Sequence, residues 1–205
     1  MSIHALPLSN AVILDTETTG LDSSARIVEI SLINAESGLT LYSGLVNPMI
    51  QIPAEATAIH GITNEDVADK PTFDVVWNEI KGLIFDKQVI VYNFNYDYRL
   101  IKQSLSDFDY PLANLIHFFG GCHCAMAWYA EFYGDWNDYH ECYKWQRLTA
   151  ACAQQNIDVS DLTAHRALAD CEMTRRLIHA VKAKIGGLIV LDECGTWFNP
   201  ADEDR

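Results

Sequence analysis

Ala11-Val12-Ile13-Leu14 is an unbroken apolar run that stops at Asp15-Thr16-Glu17-Thr18-Thr19-Gly20, the pattern of a buried strand carrying polar side chains to its end. Two further strand patterns cover 26–33 and 39–46, and the turn residues Glu36-Ser37-Gly38 between them predict an antiparallel meander. The period then lengthens. Residues 52–63 read as a short helix opened by Pro53 and closed by Gly61, with Thr63 or Asn64 capping a further turn. Val76, Ile80, Leu83 and Ile84 mark a helical face within 72–85. A fourth strand over 88–92 gives way at Asn93 to a helix bearing Leu100, Ile101 and Leu105. A weak fifth strand is expected within 115–125, helices near 126–133 and 145–155, and a long helix from about Arg166 to Lys184. Everything after Gly187 reads as a tail, apolar at its start and acidic at its end. A meander followed by strand and helix in alternation is an α/β fold, a mixed sheet of meander and parallel strands flanked by helices.

Composition narrows the partners. The 205 residues suffice for one full core, and a net charge of −14 argues against a broad basic groove for long duplex nucleic acid. A nucleic-acid substrate remains open, because bound divalent metals reverse the field where phosphates approach. Neither residues 1–10 nor any later run has the pattern of a leader or a membrane span, which predicts a cytoplasmic protein without a membrane partner. The six cysteines are expected as reduced thiols. Cys122, Cys124, His140 and Cys142 offer soft metal donors, but in CxC and HxC spacing rather than the longer spacers of structural zinc, and the alternative is small buried side chains.

The acids carry more. Asp15 and Glu17, two apart on a strand, project to one face. Asp97 follows the end of the fourth strand, where α/β sheets build their sites, though a carboxylate there also serves simply as a helix-start partner. His165 and Asp170 are five residues apart and cannot share a helical face, which places His165 on a connection before the helix and Asp170 inside it. Four carboxylates around one point match two Mg²⁺ or Mn²⁺ ions, the clamp for in-line phosphoryl displacement, and an imidazole is the fitting base for an attacking water.

This set closely resembles the DnaQ-like 3′-to-5′ exonucleases, the DEDDh group of the ribonuclease H-like fold. DTETTG at 15–20, YNFNYD at 92–97 and HRALAD at 165–170 stand as that family's motifs, in order. The resemblance covers the chain to about Ile185 and implies an exonuclease domain over 1–187 with a tail over 188–205. It assigns metal binding to Asp15, Glu17, Asp97 and Asp170, and the general base to His165. The stretch 52–63 looks like a nucleotide-contacting helix and implicates Glu55 and His60, while Thr18 and Asn93 within the motifs and Leu21 beside the first are expected as further substrate contacts. The implied substrate is a single-stranded DNA or RNA 3′ end, DNA favoured, released as nucleoside monophosphates. Some relatives are homodimers, which leaves that state open here. Two alternatives stand beside it: degradation of very short RNA, whose enzymes usually carry Asp-Leu-Glu in place of Asp15-Thr16-Glu17, and a non-catalytic nucleic-acid-binding module.

Overall fold

The computed structural model describes residues 4–112, 115, 119–187, 190–191 and 197–198. Strands β1 (Ala11–Thr18), β2 (Ile27–Asn34) and β3 (Thr40–Leu45) form the expected meander. Helices α1 (Ala54–His60), α2 (Asn64–Val67) and α3 (Phe73–Ile84) follow, then β4 (Gln88–Val91), α4 (Phe94–Ser106) and β5 (Gly121–Cys124). The sheet order is β3-β2-β1-β4-β5, antiparallel through β3, β2 and β1, parallel through β1, β4 and β5. Helices α5 (Ala125–Tyr133), α6 (Leu148–Gln154) and α7 (Ala167–Gly187) complete the body.

β1 is central and covered on both faces, which is why its apolar run does not alternate with polar residues. On one face Ile13, Ile33 and Ile90 pack with Tyr129, Cys152, Met173, Leu177 and Val181 of α5, α6 and α7. On the other, Val12, Leu14, Leu32 and Val89 meet Trp77 and Ile80 of α3 and Leu100, Ile101 and Leu105 of α4. Each such fully buried aliphatic side chain contributes roughly 1.5 to 3 kcal/mol.

Three sequence expectations change. β1 does not end at its acids but carries them inside the strand, because the ladder to β2 continues through Glu17–Glu29 to a bulge before Thr18. A hairpin absent from the sequence reading, β6 (Trp136–Asn137) with β7 (Cys142–Tyr143), interrupts the stretch before α6. Part of the expected tail is a second short hairpin, β8 (Val190–Leu191) with β9 (Trp197–Phe198); the rest of 188–205 lies outside the described residues. Among the described residues no helix is long and apolar enough to cross a membrane.

Candidate active site

Asp15 and Glu17 leave β1 on the face that α7 covers, following Ile13 in the alternation of the strand. The start of α7 is lined by small buried residues, Ala167, Ala169 and Cys171, so the helix sits close on the sheet, with the Cys171 thiol reaching the carbonyls of Ile13 and Ser31. That approach brings in Asp170 from the first turn of α7. One carboxylate oxygen from each of Asp15, Glu17 and Asp170 lies within 4.8 Å of the other two.

Asp97 arrives from α4 and is buried, its Oδ1 accepting a 2.7 Å hydrogen bond from the Thr16 hydroxyl. It stands beside the three-oxygen group rather than within it, yet its charge is the foremost of the carboxylate charges acting on Asp15.

The electrostatics are those of crowded acids withdrawn from water. Burial pushes the Asp15 carboxyl well above the ordinary range, and Asp97, Asp170, Glu17 and Glu29 push it further. Burial and then Asp170, Glu29 and Asp97 lift Glu17 to about 8, with Arg166 opposing. Burial lifts Asp97 to about 7 against the hydrogen bond from Thr16. Asp170 reaches about 6, again through burial, relieved by His165. Hard oxygen donors whose negative charge the protein leaves uncompensated suit a divalent cation.

His165 is exposed and precedes α7 as expected, in the left-handed region at φ +61°. Its backbone N–H donates to Asp170 Oδ1 at 3.3 Å, which ties the residue to the acidic group. Next in the chain, Arg166 forks onto Glu29 with Nη2 at 2.6 Å and Nε at 3.1 Å, and the Ala167 N–H donates to the same carboxylate at 2.9 Å. Sequence reasoning missed Glu29, although a carboxylate amid the apolar residues of 27–33 was a visible signal.

The flanking residues divide. Leu21 is 80% exposed, and Glu55 and Asn93 are also exposed, the Asn93 side chain making no capping hydrogen bond to α4. Thr18 is buried, its hydroxyl engaged by Gly20 and Tyr96. His60, expected as a nucleotide contact, is held from within the chain. It is buried, Nδ1 accepts the Ile62 N–H at 3.0 Å and Nε2–H donates to the Thr18 carbonyl at 3.2 Å, so both ring nitrogens are spent within the chain. Cys122 and Cys124 lie on β5 and Cys142 on β7, and no metal-binding group of three donors forms from them and His140 among the described residues.

The exonuclease family model (RNase_T) matches residues 12–178. The chain is 42% identical over 171 residues to the uncharacterized exonuclease CP81 of Escherichia phage 186, covering 83% of this chain and 87% of that protein. It is 38% identical over 100 residues to the DNA polymerase III subunit epsilon of Rickettsia prowazekii, covering 46% of this chain and 44% of the subunit. Among solved structures, exonuclease X in complex with 5′ overhanging duplex DNA matches with a TM-score of 0.61 and 28% identity, over 84% of this chain and 92% of that one.

Proposed function

The chain belongs to the exonuclease (RNase_T) family and is a 3′-to-5′ exonuclease that hydrolyses phosphodiester bonds, and from that premise we propose how its residues divide the work. Asp15, Glu17, Asp97 and Asp170 hold two divalent ions, Mg²⁺ or Mn²⁺. The observation that carries this is the meeting of three carboxylate oxygens from two elements within 4.8 Å, with their charge unpaired. When bound, such ions stabilise charge on the attacking and leaving oxygens of the displacement.

His165 takes the proton from the attacking water. Its backbone bond to Asp170 keeps it at the rim of the acidic group, and its exposure leaves the imidazole free to exchange that proton with solvent. Leu21 offers an apolar surface to the terminal base, while Glu55 and Asn93 contact the terminal nucleotide. Thr18 acts through its backbone, whose carbonyl His60 holds in place.

The substrate is a single-stranded 3′ end, DNA favoured, released as nucleoside monophosphates. Exonuclease X, the structural relative described above, is bound to an overhanging duplex, so a nucleic-acid end is the common element. Short RNA is the second reading, favoured by the net charge of −14, which suits a ligand with few phosphates. A purely binding role is disfavoured because burying mutually repelling carboxylates destabilises the fold and serves binding in no way. Matched 3′-labelled DNA and RNA oligonucleotides, single-stranded and duplex, test the assignment. Single-stranded DNA should be shortened fastest, with excess chelator or Asp15→Asn abolishing the reaction. Undiminished activity in chelator would overturn the metal assignment.

A further inference from the structure

Between α5 and α6 the chain makes an excursion that the acidic centre does not use. It leaves α5 through Gly134, runs out as β6, turns over Asp138-Tyr139-His140-Glu141 and returns as β7. A hairpin of two residue pairs is marginal by itself, and the usual remedy is to pack its aromatic side chains on the body. Here they face solvent. Tyr139 is 88% exposed, Trp145 62%, and Trp136, His140 and Tyr143 are exposed with them. The rings are arranged in edge-on pairs, Trp136 with Tyr143 at 5.0 Å between centroids and Tyr139 with His140 at 4.8 Å. A cluster of exposed aromatic rings marks an interaction surface.

Its anchorage says of what. The Tyr92 hydroxyl donates to the Gln146 carbonyl at 2.8 Å, and Gln154 of α6 holds the Gln146 side chain at 2.9 Å. Ile13 pairs with Ile90 in the parallel ladder, so two residues further along Asp15 stands level with Tyr92. Tyr92 packs in the same cluster as Ile13 and Ile90, on the face from which Asp15 and Glu17 project. The chain returning from the hairpin is therefore tethered just past the end of β4, the strand next to β1, on the face of the sheet where the acids open, with adjacent strands about 4.8 Å apart.

Its charge selects the ligand. Lys144 is paired with Asp135 at 2.9 Å, and Asp138 and Glu141 flank the turn, so the hairpin itself offers no basic patch to a duplex backbone, the exposed Arg147 lying beyond it at the start of α6. Aromatic faces accept any unpaired base, whereas the bases of a duplex are already stacked on one another. We propose that the β6–β7 hairpin and Trp145 form a stacking platform for the unpaired bases of the substrate strand that lie 5′ of its terminal, scissile linkage. The platform rests on the nuclease reading given above.

The test uses the full chain with Mg²⁺, comparing wild type with the Tyr139→Ala/Trp145→Ala double variant. Neither side chain belongs to the Trp136–Tyr143 pair, and far-UV circular dichroism verifies the fold. Two substrates are followed: a single-stranded 20-mer and the p-nitrophenyl ester of thymidine 5′-monophosphate, which has no upstream base. On the 20-mer kcat/KM should fall roughly five- to a hundredfold, the loss expected for one stacked base, and hydrolysis of the ester should not follow it. Trp145→Phe should keep most of the 20-mer rate. Equal 20-mer rates in wild type and double variant, or the same loss on both substrates, overturn the platform. A wild type that hydrolyses neither substrate overturns the nuclease reading instead. In that case quenching of tryptophan fluorescence by oligothymidylate in chelator, lost in Trp145→Phe, still decides whether the hairpin stacks bases; unchanged quenching counts against it.

Discussion

Glu17 and Glu29 are direct partners across the β1–β2 ladder, and only Glu29 has a cation bonded to it. Like charges placed opposite one another on a sheet repel, so the pair needs relief. Arg166 and the Ala167 N–H bond directly to Glu29, which thereby holds the start of α7, while Glu17 feels Arg166 only through space. Glu17 has no bonded cation, its pKa is lifted to about 8, and it is left facing Asp15 and Asp170. One strand pair thus yields an anchor and a ligand from the same residue type.

Removing the arginine should expose this division. Arg166→Ala leaves Glu29 buried with only the Ala167 N–H to satisfy it. Arg166 is itself about half exposed, so the loss should resemble that of a charged hydrogen bond, about 1.5 to 3 kcal/mol, rather than of a fully buried pair. Arg166→Lys restores charge without the fork and should fall between. Urea unfolding of the three proteins measures this; a shift within error for Arg166→Ala would show that Glu29 does not depend on its partner.

Stability without metal should fall as pH rises. Unfolded carboxylates lose their protons near 4, whereas the folded chain keeps them to about 6 at Asp170, about 7 at Asp97 and about 8 at Glu17. Between those limits the folded state binds more protons than the unfolded one, which makes the slope of unfolding free energy against pH negative. Exposed acids held low, such as Asp66 under the Thr63 hydrogen bonds, act in the opposite sense and below this window. In chelator the melting temperature should therefore decline from pH 5 to pH 8. Mg²⁺ should raise it, and by more at pH 8, where it no longer competes with protons for the carboxylates. A flat chelator profile would mean that the acids ionise without strain.

The sequence made β1 legible because a strand covered on both faces needs an unbroken apolar run, and its acids follow by alternation. Asp170 and His165 were readable from the geometry of the helix start. Glu29 was not, since its role depends on register with Glu17 and on Arg166, 137 residues away. The ring partners of His60 were not legible either, because nothing local shows that Thr18 and Ile62 engage both ring nitrogens. The 136–143 hairpin escaped because strands of two residues carry no period.

His165 should be separable from the metal ligands. His165→Ala should lower single-turnover cleavage at saturating metal by roughly two to four orders of magnitude, the range of a lost general base. The backbone N–H that reaches Asp170 survives the substitution, so the melting-temperature gain on adding Mg²⁺ should be retained. An Asp170→Asn variant should lose both cleavage and much of that gain. If His165→Ala lost the metal response as well, the residue would be shaping the acidic group instead of accepting a proton.

Salt dependence is the last expectation, and the ion pairs decide it. Arg26, Arg166 and Arg176 are bonded to Asp107, Glu29 and Asp161, Arg175 and Arg176 to Glu172, and Lys70 and Lys144 to Asp69 and Asp135. Arg99 is hydrogen-bonded to the carbonyls of Leu21 and Asp22. These bonds account for seven of the chain's 14 lysines and arginines, and the net charge of −14 opposes the approach of phosphates to the other seven. Each neutralised phosphate of a single strand contributes a slope of about −0.7 in log K against log salt, so one or two contacts give roughly −0.7 to −1.4. Oligothymidylate binding measured in Ca²⁺ or chelator between 50 and 200 mM salt should therefore weaken by well under tenfold, and long duplex should bind more weakly still. A slope of about −4 or steeper, with tight duplex affinity, would mean that these cations leave their carboxylates when the substrate arrives.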